Sequence, residues 1–429
     1  MMKGRLFSLA IVIFAVFALF LGASQLQMGS EVYAAKGSDK FNELENFSQA
    51  LDMIKKRYVD EVTDDKIIQG AIKGMLLELD PHSNYYTSDE YKSFMVDIEG
   101  EFGGLGMTIG MRDNMVTVIA PIEDTPAHKA GIQAEDVIYK IDEAIATNMN
   151  TDEAVKLMRG KPGTKVQLTI LRKGEDKPLV FDLIRDIIKV KSVKSRMVSE
   201  NIAYVRLTNF QKGSGDEVRE AMQTLAKDGA KGIILDLRSN PGGSLEEAVY
   251  VSSLFLPTGK VVVTTKGRTE NSSLTTRRLK YSDTERPLVI LVDGGSASAS
   301  EIVAGAVQDY GRGVIIGTTT FGKASVQSIY ELRNGSAMKL TTARYYTPEG
   351  RSIQGVGIVP DVIVPRGKIV YSDPSLFTIK ERDLAGHLVG ENENNNTTVQ
   401  DSAGEEDLQL QSAIQMIKGL TLYGKASGK

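Results

Sequence analysis

Three serines alternate with alanines at a point where an apolar strand gives way to a helix. The predicted strand Leu288–Val292 leads through a glycine pair into the run SASASE at 296–301. The first amides of a helix have no partner inside the helix and carry partial positive charge. A serine placed there can attack a carbonyl group while nearby amides stabilise the resulting oxyanion. The run therefore predicts a nucleophilic serine, without choosing among Ser296, Ser298 and Ser300.

A lysine that could act as the base follows another predicted strand of the same core. Lys323 comes shortly after the strand 314–316. A lysine accepts a proton only when it is neutral, and because its ordinary pKa is about 10.4 this requires burial away from water. Gln327 is four residues further along, which would place it on the same face of a helix or a strand. Its neutral amide could orient the amine without adding a charge.

A glycine-rich turn is the third candidate feature. The segment Asp236–Gly243 ends in a glycine pair whose backbone amides would be exposed. Each of the three signals also has an ordinary interpretation. Ser298 and Glu301 form a capping box that satisfies the helix end, a lone lysine is usually solvated, and a glycine pair is usually only a turn. The presence of all three in one chain favours a catalytic site more than any one of them does alone.

The elements that must position these residues alternate between strands and helices from about Asn201 onward, which is typical of a layered α/β core. Strands are predicted at 232–237, 288–292 and 314–316, and helices at 216–227, 245–254 and 300–308. A mostly β module of short strands and turns precedes this core, between about Glu99 and Arg185, and contains one helix at about 151–158. Its strands are predicted at 107–109, 115–119, 137–141 and 166–170.

The N-terminus has the pattern of an export signal. Lys3 and Arg5 precede an almost unbroken apolar run from Leu6 to Ala23. The run is about long enough to cross a bilayer, which takes roughly 20 residues. A cleaved signal and a retained membrane anchor are both compatible with it, with cleavage slightly favoured. Either predicts that the rest of the chain is exported, in the periplasm or on the outer face of the inner membrane.

Helical segments are predicted at both ends of the remaining chain. Apolar residues recur at helical spacing over Phe41–Tyr58 and about Asp65–Leu79, which predicts a packing or dimerising module. The segment Glu391–Asp407 is rich in Asn, Glu, Thr and Gly and predicts a flexible acidic linker. A closing amphipathic helix follows, with an apolar face formed by Leu410, Ile414, Ile417 and Leu420.

The composition excludes several classes of function. The 429 residues include no cysteine, so a disulfide framework and a thiol nucleophile are both excluded. The chain has three histidines, His82, His128 and His387. So few histidines disfavour a zinc site. They also make a histidine-based serine triad less favoured, although they do not exclude it. The net charge of −4 does not provide the positive potential that attracts nucleic acid. We therefore expect no metal, no cofactor and no nucleic-acid partner.

Together these segments resemble the C-terminal processing proteases of peptidase family S41, over nearly the full length from about Phe41. The runs LTTARYYTP at 340–348 and GIVPD at 357–361 add to the resemblance. It implies that Ser298 is the nucleophile, that Lys323 is the base, and that Gln327 supports the lysine. No departure from the family pattern occurs at these positions.

The resemblance also implies a fold, an oxyanion hole and a domain order. The fold class would be multidomain α/β, with a ClpP/crotonase-like layered core, an inserted PDZ domain and an N-terminal helical module. Backbone amides near Gly243 and Ala299 would form the oxyanion hole, although the glycine pair leaves two candidates. The predicted domains are a signal or anchor at 1–35, a helical region at 40–95, a PDZ domain at 99–185, a protease core at 190–367 and a C-terminal region at 368–429.

A PDZ domain implies recognition of substrates through their C-termini, because glycine-rich backbone can bind a terminal carboxylate and a strand can pair with the added peptide. The groove residues would be Gly104, Leu105, Gly106, Met107, Val155 and Met158, some of which must also belong to the core of the module. Arg159 follows the facing helix and could sense bound substrate and gate the active site; a solvated loop charge is the alternative. Such a groove would favour an apolar C-terminal side chain.

The predicted function is a serine endopeptidase that cleaves proteins near their C-termini with a Ser-Lys dyad. One competing hypothesis is a non-catalytic envelope scaffold that uses its PDZ domain to collect C-termini. Another is a crotonase-like acyl enzyme, which would need a coenzyme A site and which the PDZ insert and the export signal argue against.

Overall fold

The structure is a computed structural model that describes residues 41–199, 201–369, 388 and 406–426. The chain divides into two compact units, Met1–Tyr85 and Tyr86–Lys429. The predicted export signal and most of the predicted acidic linker lie outside the described residues. No helix among the described segments is long and apolar enough to cross a membrane.

The first unit is helical, as its apolar spacing predicts. Helix α1 covers residues 41–57, and α2 covers Asp64–Leu77. A short strand, β1 (Asn84–Tyr86), lies where the two units meet in sequence. Many of the apolar side chains of α1 are exposed, namely Phe41, Leu44, Phe47, Met53 and Ile54.

The second unit begins with a helix that the sequence analysis did not predict, α3 (Ser88–Glu99). The mostly β module follows. Its strands are β3 (Met107–Arg112), β4 (Met115–Pro121), β5 (Val137–Ile141), β6 (Ala144–Ile145), β7 (Lys165–Leu171) and β8 (Leu179–Ile184). Its helices are α4 (Pro126–Lys129) and α5 (Thr151–Met158). The sheet runs β3-β4-β5-β7-β8, and residues such as Val116, Ile138 and Leu168 pack in its core.

A two-stranded ribbon connects this module to the core. Strand β2 (Glu101–Gly104) pairs antiparallel with β9 (Asp186–Lys189). The ribbon therefore brings the chain entering the module beside the chain leaving it.

The core contains a six-stranded sheet with the order β10-β11-β12-β15-β16-β19. The strands are β10 (Val193–Ser199), β11 (Ile202–Leu207), β12 (Gly232–Asp236), β15 (Leu288–Val292), β16 (Val314–Gly317) and β19 (Val362–Ile363). All pairs are parallel except β10 with β11. Strands buried on both faces read as continuous apolar runs, which is why 232–237 and 288–292 could be predicted.

Helices cover both faces of this sheet. On one face lie α6 (Ser214–Lys227), α7 (Leu245–Phe255) and α8 (Ala299–Asp309). On the other lies α9 (Leu408–Ala426), whose Ile414 and Ile417 pack against sheet residues such as Ile234 and Leu291. The layered α/β core with an inserted β module confirms the predicted fold class.

A second, antiparallel sheet lies beside α8 and was not predicted. It contains β13 (Val261–Gly267), β14 (Asn271–Thr275), β17 (Ser325–Glu331) and β18 (Ala337–Tyr346). Strand β18 pairs with β17 and β13, and β13 also pairs with β14. Near the C-terminus β20 (Lys368–Ile369) pairs with β21 (Glu406–Asp407), so the last two residues of the predicted flexible linker are instead a strand.

Candidate active site

The three alternating serines have different surroundings. Ser296 is fully buried, and its hydroxyl donates to the Leu237 carbonyl oxygen at 2.8 Å. Ser300 is also fully buried, and its hydroxyl donates to the Asn240 carbonyl oxygen at 2.9 Å. Each hydroxyl has one proton, and both of these protons are bonded to carbonyls of the turn after β12. Ser298, between them, is partly exposed.

Ser298 has an unusual backbone conformation. Its φ is 54° and its ψ is −112°, at the residue directly before α8. A positive φ is uncommon for a residue with a side chain, and such strain costs about 1–3 kcal/mol and persists only where the surroundings hold it. Strained residues of this kind cluster at active sites. The conformation is therefore an observation in favour of a functional Ser298.

One buried carboxylate holds this residue in place. Glu301 is fully buried in α8, and its Oε2 accepts the Ser298 N–H at 2.8 Å. The same Oε2 accepts the Lys323 N–H at 3.0 Å. Its Oε1 accepts the Gly322 N–H at 2.7 Å and the Thr320 hydroxyl at 2.5 Å. The backbone nitrogens of Ser298 and Lys323 thus share a single oxygen atom.

A buried tyrosine makes a second link between the same two residues. The Tyr345 hydroxyl lies 3.1 Å from the Ser298 carbonyl oxygen and also contacts the carbonyl oxygen of Lys323. Burial, together with the charge of Glu301, raises the pKa of Tyr345 well above its ordinary value of 10.0. The phenol therefore stays protonated and able to donate. The residues Ser298 and Lys323 are therefore joined twice, through their backbone N–H groups by Glu301 and through their carbonyl oxygens by Tyr345.

Lys323 and Gln327 do not share an element. Lys323 lies in the loop before β17, whereas Gln327 lies inside β17, opposite Thr341. The shared-face argument from their four-residue spacing therefore does not apply. The Gln327 amide donates to the Ser325 hydroxyl at 2.9 Å and to the Thr341 hydroxyl at 3.3 Å.

The two glycines of the turn differ in their amides. Gly242 is buried, and its N–H donates to the Asn240 side-chain oxygen at 2.9 Å. Gly243 is exposed, and no acceptor for its N–H is found within the described part of the chain. The same holds for the N–H of Ala299, the first residue of α8. A Cβ on Gly242 would lie 2.9 Å from both the Ala299 nitrogen and the Ser298 Cβ, so this turn closely approaches Ser298.

The β module contains a cavity at the position of the predicted peptide groove. It is lined by the six predicted groove residues, Gly104, Leu105, Gly106, Met107, Val155 and Met158, and by Arg159, Phe102 and Ile109. Leu105 and Met158 also belong to the buried core of the module, as expected for some of the set. Among the described residues, the amides of Leu105 and Gly106 have no acceptor. The Arg159 guanidinium lies 4.4 Å from the centre of the Phe102 ring.

Sequence reasoning missed three residues of this arrangement. Glu301 was interpreted only as part of a capping box, and its contacts with the 320–323 loop have no local signal. Tyr345 was noted only within a run that supported the family resemblance. Phe102 had no signal of its own. Within the described residues, no group of His, Cys, Asp or Glu could hold a metal ion.

Comparison with known proteins adds independent findings. Family models match residues 201–364 (peptidase family S41), 103–183 (PDZ domain) and 12–90 (activating protease CtpB N-terminal domain). The carboxy-terminal-processing protease of Bartonella bacilliformis is 42% identical, covering 95% of this chain and 96% of that protein. The carboxy-terminal processing protease CtpA of Bacillus subtilis is 38% identical, over 82% of this chain and 74% of that protein. A solved structure of a photosystem II D1 C-terminal processing protease is 28% identical, covers 74% of this chain and 92% of its own, and has a TM-score of 0.44.

Proposed function

The chain belongs to the carboxy-terminal-processing proteases of peptidase family S41 and is a serine-type peptidase, and from that premise we propose that Ser298 and Lys323 form its catalytic dyad. The observation that carries the proposal is the Glu301 carboxylate, one oxygen of which accepts the backbone N–H of both residues. This arrangement brings a partly exposed, strained serine and a lysine into one cluster. The two neighbouring serines have their protons bonded to carbonyl oxygens, which supports Ser298 as the proposed nucleophile.

The reaction begins when the Ser298 Oγ attacks the carbonyl carbon of the scissile peptide bond and its proton passes to the neutral Lys323 Nζ. The C–N bond then breaks as Lys323 returns that proton to the leaving nitrogen. A water molecule next gives a proton to the same amine and attacks the acyl-enzyme. Collapse of this second intermediate returns the proton to Ser298 and releases the carboxylate product. Gln327 supports the lysine through its neutral amide.

The amides of Gly243 and Ala299 serve as the oxyanion hole in this proposal. Ala299 directly follows Ser298, and Gly243 follows Gly242, where an added Cβ would lie 2.9 Å from the Ser298 Cβ. Neither N–H donates to an acceptor in the described part of the chain. Gly242 is the weaker candidate of the glycine pair, because its N–H is already bonded to Asn240. Preorganised donors of this kind are each worth about 10²- to 10³-fold in kcat.

The PDZ domain selects substrates by their C-termini. The amides of Leu105 and Gly106, which have no acceptor within the described segments, offer donors to a terminal carboxylate, and Met107, Val155 and Met158 provide an apolar wall. Arg159 gates the active site by sensing bound peptide from its position over Phe102. An Arg159→Ala variant with unchanged cleavage would count against that role. Since the chain is a peptidase with this tail-binding groove, we infer that it cuts near substrate C-termini. The predicted export signal supports a site of action outside the cytoplasm.

Digestion of an unstructured protein tests the dyad. Ser298→Ala and Lys323→Ala should each abolish cleavage, while Lys280→Ala, which removes an exposed lysine, should cleave like the wild type. Cleavage that survives Ser298→Ala or Lys323→Ala would overturn the assignment. The alternative of a non-catalytic scaffold predicts instead that Ser298→Ala complements a deletion fully in cells.

A further inference from the structure

A short loop at residues 209–212, which we call the bridging loop, packs directly against the proposed oxyanion glycine. Phe210 is buried, its N–H donates to the Gly242 carbonyl oxygen at 2.9 Å, and its own carbonyl accepts the Ser244 N–H at 2.8 Å. These two bonds flank Gly243. A Cβ on Gly243, whose φ is 145°, would lie 2.4 Å from the Phe210 carbonyl oxygen. The Phe210 backbone therefore determines where the Gly243 peptide lies.

The next residue holds the ribbon between the PDZ domain and the core. Gln211 is only 6% exposed, and its side-chain amide donates to the Val190 carbonyl oxygen, just after β9. Its side chain also fills the space beside Gly100, where a Cβ would lie 2.3 Å from the Gln211 Cδ. The Val190 N–H donates to the Gly100 carbonyl oxygen at 3.0 Å, which closes the ribbon at this end. Gln211 thus contacts both chains of the ribbon.

The other end of the ribbon is the peptide groove. Strand β2 ends at Gly104, the first residue of the proposed carboxylate loop, and Phe102 within it lies under Arg159. The Gly160 N–H donates to the Gly103 carbonyl oxygen at 3.1 Å, so the end of α5 is bonded to the same strand. The strands β2 and β9 therefore connect the groove at one end with Gln211 at the other.

We propose that Gln211 is a positioning residue of the oxyanion hole, which couples the placement of the β2–β9 ribbon to the Gly243 amide through the Phe210 backbone. The proposal rests on the assignment of Gly243 and of the groove under the proposed function. Oxyanion donors act only when they are held within about 0.5 Å of the productive geometry. Gly243 has no side chain with which to fix its own orientation, so the hydrogen bonds of Phe210 must do so. The Gln211 side chain bonds this loop to the ribbon at Val190, beside a backbone bond from the Lys212 N–H to the Ile98 carbonyl oxygen.

Two substitutions separate the hydrogen bond from packing. Gln211→Ala removes the side chain, whereas Gln211→Glu keeps its shape but presents only acceptors to the Val190 carbonyl oxygen. The matched control is Gln223→Ala on α6, a partly exposed glutamine away from the ribbon. The assay measures hydrolysis of a short reporter peptide with an amidated C-terminus, with and without a separate peptide that has a free, apolar C-terminus.

Both Gln211 variants should lower kcat about tenfold or more, since small misplacements of this kind are costly, and should leave KM and the groove's affinity for the separate peptide unchanged. The separate peptide should change the reporter rate of the wild type and of Gln223→Ala, but not that of the Gln211 variants. The proposal would be overturned if both Gln211 variants had the kcat of the wild type. It would also be overturned if the separate peptide did not change the reporter rate of the wild type. Ser298→Ala in the same assay separates failure of the proposed function from failure of the Gln211 proposal. An active Ser298→Ala variant refutes the proposed function. An inactive Ser298→Ala variant together with unaffected Gln211 variants refutes the Gln211 proposal alone.

Discussion

A single carboxylate connects the proposed nucleophile, Ser298, to the loop that carries the proposed base, Lys323. Glu301 has no exposed surface, and a buried carboxylate is costly unless hydrogen bonds compensate for its lost hydration. Four donors do so here, three backbone N–H groups and the Thr320 hydroxyl. Hydrogen bonds to a charged group each contribute about 1.5–3 kcal/mol. Glu301 is therefore expected to hold the geometry of Ser298 and Lys323 without touching substrate.

Replacing this carboxylate by an amide should damage catalysis more than binding. In Glu301→Gln one oxygen becomes an NH₂ group that faces existing donors, so at least one hydrogen bond is lost. We expect kcat to fall about 10- to 100-fold with little change in KM, measured on a quenched peptide. Glu246→Gln, on the exposed first turn of α7, is the control and should retain wild-type kcat. Equal kcat in the two variants would show that Glu301 is only a helix cap.

The local sequence could not predict which of the three alternating serines is the nucleophile. Ser296, Ser298 and Ser300 have alanine neighbours and similar local signals, and only the family resemblance favoured the middle one. In the structure the flanking hydroxyls bond to Leu237 and Asn240, about 60 positions earlier in the chain. These partners depend on how the turn after β12 packs against the serine segment. Such a long-range contact cannot be predicted from the local sequence.

At the scale of elements, the sequence predicted the strands and helices whose own residues have a characteristic pattern. Continuous apolar runs located β12 and β15, and the helix predicted at about 151–158 is α5. Strand β14 (NSSLT) is polar and largely exposed, and it exists because β13 pairs with it. Helix α3 did have a local signal, the capping box of Thr87 with Glu90, which the sequence analysis overlooked.

The groove between β3 and α5 permits a test of C-terminal recognition. Binding is measured in the full chain carrying Ser298→Ala, with a peptide that ends in an apolar residue. Amidation of its C-terminus should weaken binding at least about tenfold, because the Leu105 and Gly106 amides lose a charged acceptor. Val155→Gln should weaken it by polarising the apolar wall, whereas Val180→Gln, on the exposed face of β8, should not. Equal affinities for free and amidated peptide would contradict the assignment.

At the scale of the whole molecule, three sites belong to one unit of the chain. The proposed peptide groove, Ser298 and Lys323 all lie in Tyr86–Lys429. The ribbon and the bridging loop connect that groove to the turn beside Ser298. The order of these segments could be predicted from sequence, but not their contacts, because the ribbon pairs residue 101 with residue 189. The homodimer, the N-terminal anchor and the domain boundaries stay predictions.

The most direct test asks which serine of the intact protein is reactive. A fluorophosphonate forms a stable adduct only with an activated serine, and peptide mass spectrometry locates it. We predict one adduct, on Ser298, formed in the wild type and lost or greatly slowed in Lys323→Ala. An adduct on Ser296 or Ser300, or labelling of Lys323→Ala at the wild-type rate, would contradict the Ser-Lys mechanism.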